Sequence, residues 1–575
     1  MTANITRRGA LLSGLAVGAT SCASSPKMTP YIAVSERAGG TFSHGVASGD
    51  PGADSVVIWS RIDPIAADTS QPVIVVWETA ADQAFTDMRG KGEAETMASR
   101  DWTVKVLLTD LQPGETIYYR FRLGEEYSPV GRTRTLPIGA VDAARFAVMS
   151  CSNYPFGYFN VYDLVAREDD LDAIIHLGDY IYEYSREGYG GEAGVALGRN
   201  HEPPHEIVSL DDYRKRHAQY KADPSSQAMH ARHPIIPIWD DHETSNNSWK
   251  GGAENHQPET EGEWNARRRA ALQAYYEWMP VREPGMQPEA FFRSFSYGDL
   301  MTIAAIETRL MARARQFEYS EIIPTLETPE DVERFKQDIL WEQTREMLGA
   351  AQIDYLDRTF RNSIASGQPW RLIANQIIMA KVTAPDLTPH VTEEDIAALE
   401  QQWDQARAFV KSSTLGLPTN FDAWDGYPAA RERFYEMTKN AGEDGMIVVT
   451  GDTHTWWAND LVDHHGDHRG VELGTHSVTS PSPYRKDFLG GKGAEYALLT
   501  NRDNEDVRYL SGEHHGFIHL TVTKESARAE FRAVDTIESG NYNGFTKVAF
   551  DIEKKKGSAK FSDADGLGFK EGFLF

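Results

Sequence analysis

Cysteine is scarce in this sequence of 575 residues, which contains only Cys22 and Cys151. If processing removes Cys22, no internal disulfide can form, and the fold must rest on its buried core. Basic residues are also few, because 58 lysines and arginines face 85 acidic residues and leave a formal net charge of −27. Such a surface repels nucleic-acid backbones and anionic membranes at long range. The composition therefore argues against a nucleic-acid partner.

Long apolar runs are missing beyond the N-terminus, so no membrane span is predicted. At the N-terminus, Arg7 and Arg8 precede an apolar run, residues 11–19, that is too short to cross a bilayer. Small residues suited to signal-peptidase cleavage follow. We therefore predict a twin-arginine signal peptide at residues 1–25, use of the twin-arginine export machinery, and a periplasmic or secreted protein. A lipid anchor at Cys22 is the alternative.

Two kinds of strand pattern divide the rest of the chain. Residues 41–138 contain short β-branched or alternating runs broken by Gly, Pro and Asp, which predicts an immunoglobulin- or fibronectin-like β-sandwich. Residues 145–535 alternate buried strands with helix-compatible stretches, which predicts an α/β domain with helices on both sides of the sheets. The Gly- and Asn-rich residues 536–575 are expected to form a C-terminal tail or lid. Strands are expected at residues 146–150, 173–177, 235–239, 301–306, 370–374 and 446–450.

Polar side chains follow five of these predicted strands. Carboxyl ends of neighbouring strands converge on the crevice where α/β folds bind substrates. Taken singly, each residue has an ordinary explanation, such as a turn Asp or a buried Cys. Their repetition at five strand ends favours a functional site. The candidates in chain order are Cys151, Asp179, Tyr182, Asp241, His242, Asn375, Gln376, Asp452 and His454.

These clusters resemble the sequence blocks of the calcineurin-like metallophosphoesterases. Gly178-Asp179-x-x-Tyr182 is similar to the second block in its purple-acid-phosphatase form, in which Tyr binds ferric iron. The other blocks depart from the usual pattern. Cys151 stands in place of the first Asp, residues 240–243 (Asp-Asp-His-Glu) replace Gly-Asn-His-Glu, and residues 451–454 (Gly-Asp-Thr-His) replace Gly-His-x-His.

The departures themselves resemble another group within that superfamily. Together with the twin-arginine leader, the opening at residues 42–51 and the Trp-Asp-Gly-Tyr-Pro segment at residues 424–428, they are similar to the PhoD-type alkaline phosphatases. The resemblance extends over nearly the whole chain, from residue 41 to about residue 534. It implies that the α/β domain is a metallophosphoesterase sandwich with two central sheets.

The resemblance also implies a dinuclear metal centre. Thiolate, phenolate and imidazole donors make an electron-rich site suited to Fe³⁺, and an oxygen-rich set suits Ca²⁺. Mn or Zn are alternative occupants, because selectivity also depends on metal availability. The implied iron ligands are Cys151, Asp179, Tyr182 and His454. The implied calcium ligands are Asp179 as a bridge, Asp241, Asp452 and either Asn375 or Gln376.

The activity implied is alkaline hydrolysis of phosphate-ester small molecules, monoesters and diesters, by a metal-bound hydroxide. His242 is expected to donate a proton or contact phosphate, oriented by Glu243. Asn246 and Arg309 are expected to bind substrate, with an ion pair as the alternative role for Arg309. Two other functions stay open: a phosphodiesterase or phospholipase D-like hydrolase with the same centre, and a non-catalytic extracellular binding protein.

Overall fold

The computed structural model describes residues 39–65, 71–401, 405–555 and 557–562. The predicted signal peptide and Cys22 lie outside these residues. In the described ranges, no helix combines the length and the apolar character that a membrane crossing requires.

Strands and helices alternate along much of the chain between residues 143 and 450, and strands follow one another near both ends of the described chain. The strands are β1 Gly40–Thr41, β2 Val46–Gly49, β3 Val56–Arg61, β4 Asp63–Pro64, β5 Val73–Ala80, β6 Met88–Thr96, β7 Thr103–Leu108, β8 Thr116–Leu123, β9 Glu126–Tyr127, β10 Gly131–Arg134, β11 Ala143–Met149, β12 Ala173–His176, β13 Ile235–Pro237, β14 Arg293–Tyr297, β15 Met301–Ala305, β16 Trp370–Ala374, β17 Met446–Thr450, β18 Trp456–Val462, β19 His468–Gly474, β20 Val507–Ser511, β21 Gly516–Thr523, β22 Ser526–Val534, β23 Gly544–Lys555 and β24 Ser558–Phe561. The α-helices are α1 Asn160–Ala166, α2 Gly191–Leu197, α3 Leu210–Lys221, α4 Pro224–Arg232, α5 Pro258–Glu261, α6 Trp264–Trp278, α7 Tyr319–Ile322, α8 Pro329–Arg334, α9 Gly349–Ala365, α10 Glu393–Glu400, α11 Ala406–Ser412, α12 Pro428–Ala441, α13 Phe488–Gly491 and α14 Gly493–Asp503.

Two large sheets form the centre of the molecule. A ten-stranded sheet has the order β24-β23-β22-β21-β11-β12-β13-β2-β3-β7, and a seven-stranded sheet has the order β14-β15-β16-β17-β19-β18-β20. In the first sheet β11, β12 and β13 are parallel, and in the second β15, β16, β17 and β19 are parallel. Parallel strands need crossover connections, and helices supply most of them.

Apolar side chains of the two sheets meet in a shared core. Phe146 and Ile175 from the ten-stranded sheet pack in one cluster with Ile303, Leu372 and Val449 from the seven-stranded sheet, and all five are essentially inaccessible to solvent. Helices cover the outer faces, because α1, α3, α4 and α6 contribute to a second core on one side and α9, α11 and α12 to a third on the other. The predicted mixed α/β class is confirmed.

The N-terminal strands do not form an isolated sandwich. β2, β3 and β7 extend the ten-stranded sheet, since β2 pairs in parallel with β13 through Ile235 and Gly49. A five-stranded sheet of β5, β6, β8, β9 and β10 packs on this extension through a core that includes Ile58, Val75 and Phe121. Near the other end of the chain, where a tail or lid was predicted, β23 and β24 continue the same large sheet.

Candidate metal centre

The carboxyl ends of strands from both large sheets bring the predicted residues together. Cys151 and Asp179 follow β11 and β12 of the ten-stranded sheet, and His454 follows β17 of the seven-stranded sheet. One potential ligand atom from each of these three residues lies within 4.8 Å of the others. The Tyr182 hydroxyl donates to Asp179 Oδ2 at 3.0 Å and lies 3.2 Å from His454 Nε2. The four residues predicted as iron ligands therefore form one cluster, in which Cys151, Asp179 and Tyr182 are buried and His454 is half-buried.

A second set of acidic residues adjoins the first. Asp179, Asp241 and His242 also have potential ligand atoms within 4.8 Å of one another, and so do Asp240, Asp241 and Asp452. Asp179 belongs to both the Cys151 group and the Asp241 group, so it lies between the two clusters. Asp179 Oδ1 is buried without a hydrogen-bond partner. A carboxylate in that position has a free oxygen available to a cation.

Strained backbone marks the same residues. Cys151, Asp179, Asp452 and His454 adopt φ values of 62°, 54°, 58° and 51°, which lie in the left-handed region that residues other than glycine seldom occupy. Such conformations cost about 1–3 kcal/mol each and persist where the surrounding structure enforces them. Four of them at adjoining strand ends indicate that the loops are held in place for function rather than for stability.

Glycine and glutamate hold these loops together. Gly178 has a φ of 99°, and a Cβ added there would lie 2.5 Å from the Asp240 backbone nitrogen, so no other residue fits. The Glu243 carboxylate accepts hydrogen bonds from the backbone N–H groups of Asp179 at 3.0 Å, Tyr180 at 2.7 Å and Asp240 at 2.8 Å. Glu243 thus ties the loop after β12 to the loop after β13.

The orientation of His454 is set by the loop after β19. His454 Nδ1 donates to the Pro481 carbonyl at 3.1 Å, which leaves Nε2 as the lone-pair nitrogen that faces Tyr182. Burial lowers the pKa of His454 to about 3, so the ring is neutral and able to act as a ligand. Burial, with the Asp179 carboxylate as a second cause, raises the pKa of Cys151 and of Tyr182 well above their ordinary values.

His242 is held by Glu183 rather than by Glu243, which corrects the sequence-based expectation. His242 Nδ1 lies 2.7 Å from Glu183 Oε2, and its ring stacks on Tyr182 with the centroids 4.2 Å apart. Burial alone would lower the pKa of His242, but the carboxylates of Asp241 and Glu183 outweigh it and raise the pKa well above its usual value. Glu183 directly follows Tyr182, and this adjacency was the only sequence signal for its role.

Arg309 does not line the cavity at this site, and its position does not support the predicted contact with substrate. Its side chain is fully buried, where Nε contacts Asp240, Nη1 lies 2.8 Å from Asp422 and Nη2 lies 3.3 Å from Asp452. A guanidinium surrounded in this way offsets the negative charge of the acidic cluster from the protein interior, on the side away from the cavity. Asp422 also contacts Arg313. Sequence reasoning missed Asp422, which precedes the Trp424 segment without belonging to it.

The amide residues have separate environments. Asn246 lines the cavity near His242, and its Nδ2 donates to Glu254 at 2.9 Å. Asn375 Oδ1 accepts from the Trp424 indole at 3.3 Å, and its Nδ2 donates to the Ile377 carbonyl. Gln376 is fully engaged between neighbouring strands and loops through bonds to Thr308, Trp239 and Ile306. All three amide side chains therefore have protein partners, and ligation by Asn375 stays a prediction.

A cavity of about 1070 Å³ opens over the two clusters. Asp179, Asp241 and Asp452 are part of its wall, together with His242 and His454. The buried carboxylates, the neutral imidazole and the unpaired oxygen of Asp179 suit bound cations, because several carboxylates at this spacing repel one another without one. The residues present therefore fit a metal centre.

Two sheets that face each other and bring acidic, thiol and imidazole groups together at their strand ends form the framework of this candidate metal centre. Comparison with known proteins identifies the family. The model of the PhoD-like phosphatases matches residues 146–531, and the model of their N-terminal domain matches residues 26–137. The chain belongs to the PhoD-like phosphatase family.

Individual relatives agree over most of the length. Alkaline phosphatase D of Bacillus subtilis (strain 168) is 34% identical over 539 residues, which cover 89% of this chain and 81% of that protein. The solved structure titled "Structure of PhoD" is 31% identical, has a TM-score of 0.73 and matches 91% of this chain and 92% of its own. The fold and the predicted family are therefore confirmed.

Proposed function

We propose that this protein is an exported alkaline phosphatase that hydrolyses phosphate monoesters and diesters at a dinuclear metal centre. The observation that carries the proposal is the position of Asp179, whose carboxylate belongs to two adjoining ligand clusters. A carboxylate shared in this way is how a protein holds two ions close enough to act on one phosphate group.

The donor types suggest which ions bind. Cys151, Tyr182 and His454 supply sulfur, phenol oxygen and nitrogen, which suit Fe³⁺, whereas Asp241 and Asp452 supply the oxygens that Ca²⁺ prefers. Mn or Zn are alternative occupants of either site, because selectivity also depends on metal availability. Asn375 is proposed as a further oxygen donor to the calcium site. When bound, the two ions neutralise phosphate charge and lower the pKa of water at the site.

The protein's own residues would orient the substrate and move a proton. His242 Nδ1 is engaged by Glu183, so Nε2, which lies 4.0 Å from Asp241 Oδ1, is the atom left to give a proton to the departing alcohol oxygen. Asn246 lines the same cavity and offers an amide to a phosphate oxygen. Arg309 and Glu243 would act indirectly, by fixing the carboxylates and the loops that carry them.

Diester hydrolysis is proposed together with monoester hydrolysis because the cavity is larger than a phosphate group requires. At about 1070 Å³ it slightly exceeds the range of about 300–1,000 Å³ that is typical of small-molecule sites. A diester-specific enzyme of the phospholipase D type is the second candidate. The membership of a phosphatase family weighs against a non-catalytic binding protein.

Export is proposed from the paired arginines and the short apolar run at the N-terminus. Elemental analysis of protein exported by its native host, with parallel assays on 4-nitrophenyl phosphate and bis(4-nitrophenyl) phosphate, tests the proposed function. We expect iron and calcium in the protein and phosphate release at alkaline pH. Metal-loaded protein that hydrolyses neither ester would contradict it.

A further inference from the structure

The cavity continues past the acidic residues into an apolar chamber. We define the chamber by the wall residues Tyr319, Ile378, Val382, Phe409, Trp457 and Tyr484. Each of them is less than one-tenth exposed, so the chamber is recessed below the surface. Aromatic rings and branched side chains predominate in it, and such surfaces bind apolar groups by excluding water.

The chamber starts at the loops that carry the proposed ligands. Trp457 Nε1 donates to Thr453 Oγ1 at 3.0 Å, and Thr453 stands between Asp452 and His454 in the sequence. Tyr484 packs edge-on against Trp457 with the ring centroids 5.7 Å apart. A group attached to a phosphate at the metal centre would therefore extend directly into the chamber.

Two polar groups of the wall are hydrogen-bonded within the protein, whereas the buried Tyr496 hydroxyl is not. The Tyr319 hydroxyl donates to the Thr419 carbonyl at 2.6 Å. The Asp425 carboxylate accepts from the Val382 backbone at 2.7 Å and from Arg431 Nη1 at 2.6 Å. These groups have no need of a partner from a ligand, so the surface they leave to an occupant is largely apolar.

The charge of the cavity favours the same kind of occupant. No lysine or arginine lines it within the part of the chain that the structure describes, and Glu187 and Glu192 lie on its exposed rim. A second anionic group on the substrate would be desolvated there without a cation to pair with it. Positive charge is offered by the metal centre and by His242 beside it, and the phosphate group itself takes that position.

We propose that the chamber binds the alcohol portion of the phosphate ester, and that this portion is an uncharged alkyl or aryl group. The proposal rests on the proposed function, because it takes the phosphate to lie at the metal centre. It adds a substrate class: esters of apolar alcohols are preferred, and esters whose alcohol carries a carboxylate or a further phosphate are discriminated against.

Binding of alkylphosphonates to the metal-loaded protein tests this proposal without catalysis. Titration calorimetry with methyl-, butyl- and octylphosphonate should show binding that tightens about fourfold per added methylene, the equivalent of about 0.8 kcal/mol per buried CH₂, until the chamber is filled. The 5-carboxypentylphosphonate should bind about tenfold or more weakly than hexylphosphonate, since its carboxylate would lose water without gaining a cation.

Two variants test whether the increase in affinity with chain length arises in the chamber. Val382→Phe narrows the chamber and should remove most of the increase in affinity from butyl- to octylphosphonate, while methylphosphonate binding is kept. Ile339→Phe, at an exposed position outside the cavity, should leave the series unchanged.

Equal affinity for methyl-, butyl- and octylphosphonate in the unsubstituted protein would overturn the chamber proposal but would not contradict the metal centre. If no phosphonate bound to the metal-loaded protein, the proposed function and the chamber would both be contradicted.

Discussion

Glu183 Oε2 accepts a hydrogen bond from His242 Nδ1 at 2.7 Å, and both side chains are buried beside the acidic cluster. The other Glu183 oxygen accepts from the Asn246 backbone at 2.8 Å and from Asn255 at 2.9 Å, so the carboxylate cannot turn away. This pairing fixes the imidazole and leaves Nε2 available to the substrate. It makes His242 the best-placed proton donor of the site.

Replacing Glu183 by Gln should lower the pKa of His242, because the neutral amide keeps the shape of the side chain and removes its charge. The alkaline limb of the kcat/KM profile should move to lower pH, and activity should fall by about 10–100-fold. His242→Gln should lose about 10²–10⁴-fold and show no such limb. A Glu183→Gln profile identical to that of the unsubstituted enzyme would argue that His242 transfers no proton.

Tyr182 should give the iron-loaded protein a visible colour, since a phenolate bound to ferric iron has a charge-transfer absorption. Tyr182→Phe should bleach this band, and Cys151→Ser should shift it and weaken iron retention. Tyr180→Phe is the matched control, because Tyr180 is equally buried but its hydroxyl faces Ser226 and His230. Absorption that survives Tyr182→Phe would remove Tyr182 from the ligand set.

Calcium uptake by the metal-free protein should depend on pH. Burial, and next the neighbouring Asp422 carboxylate, raises the pKa of Asp452 to about 7. Below that pH the carboxyl holds a proton that calcium must displace, so the apparent affinity should fall as the pH drops, by up to about tenfold per unit. Calorimetric titrations at pH 6 and pH 8 measure the difference. Asp452→Asn should weaken binding and reduce the slope, whereas an affinity independent of pH would exclude Asp452 as a ligand.

Arg309 should contribute mainly to the free energy of unfolding, and only indirectly to catalysis. Arg309→Gln leaves Asp240 and Asp452 without their buried counter-charge, and it should destabilise the protein by about 3–5 kcal/mol. Arg361→Gln, in an exposed ion pair with Asp357, should cost less than about 1 kcal/mol. Urea denaturation of the three proteins compares the two changes, and equal stabilities would contradict the role assigned to Arg309.

Strand positions were predictable because buried parallel strands are short apolar runs that end in polar residues. The predicted strand at 173–177 corresponds to β12, Ala173–His176, and the predicted strand at 446–450 to β17, Met446–Thr450. The extension of the ten-stranded sheet by the N-terminal strands was not predictable. It depends on a single pairing of Gly49 with Ile235, and local periodicity carries no information about a contact so distant in sequence.

The grouping of polar residues at the strand ends was predictable where a residue follows a strand within three positions, as Asp179 and Asp452 do. Roles that depend on orientation were not. Glu243 and Glu183 are both acidic neighbours of candidate ligands, and only the fold shows that Glu243 binds backbone N–H groups while Glu183 holds His242. The burial of Arg309 could not be predicted either, because its partner Asp422 is more than a hundred residues away in the sequence.

The metal content of the Asp179→Asn variant tests the dinuclear centre most directly. The substitution keeps the size of the side chain and removes the charge that would serve both ions, so metal analysis of purified, folded protein should show both ions reduced. Phosphate-ester hydrolysis should fall by at least about 10²-fold, the usual cost of losing a group that acts on the transition state. Two ions per chain with unchanged turnover would contradict the account.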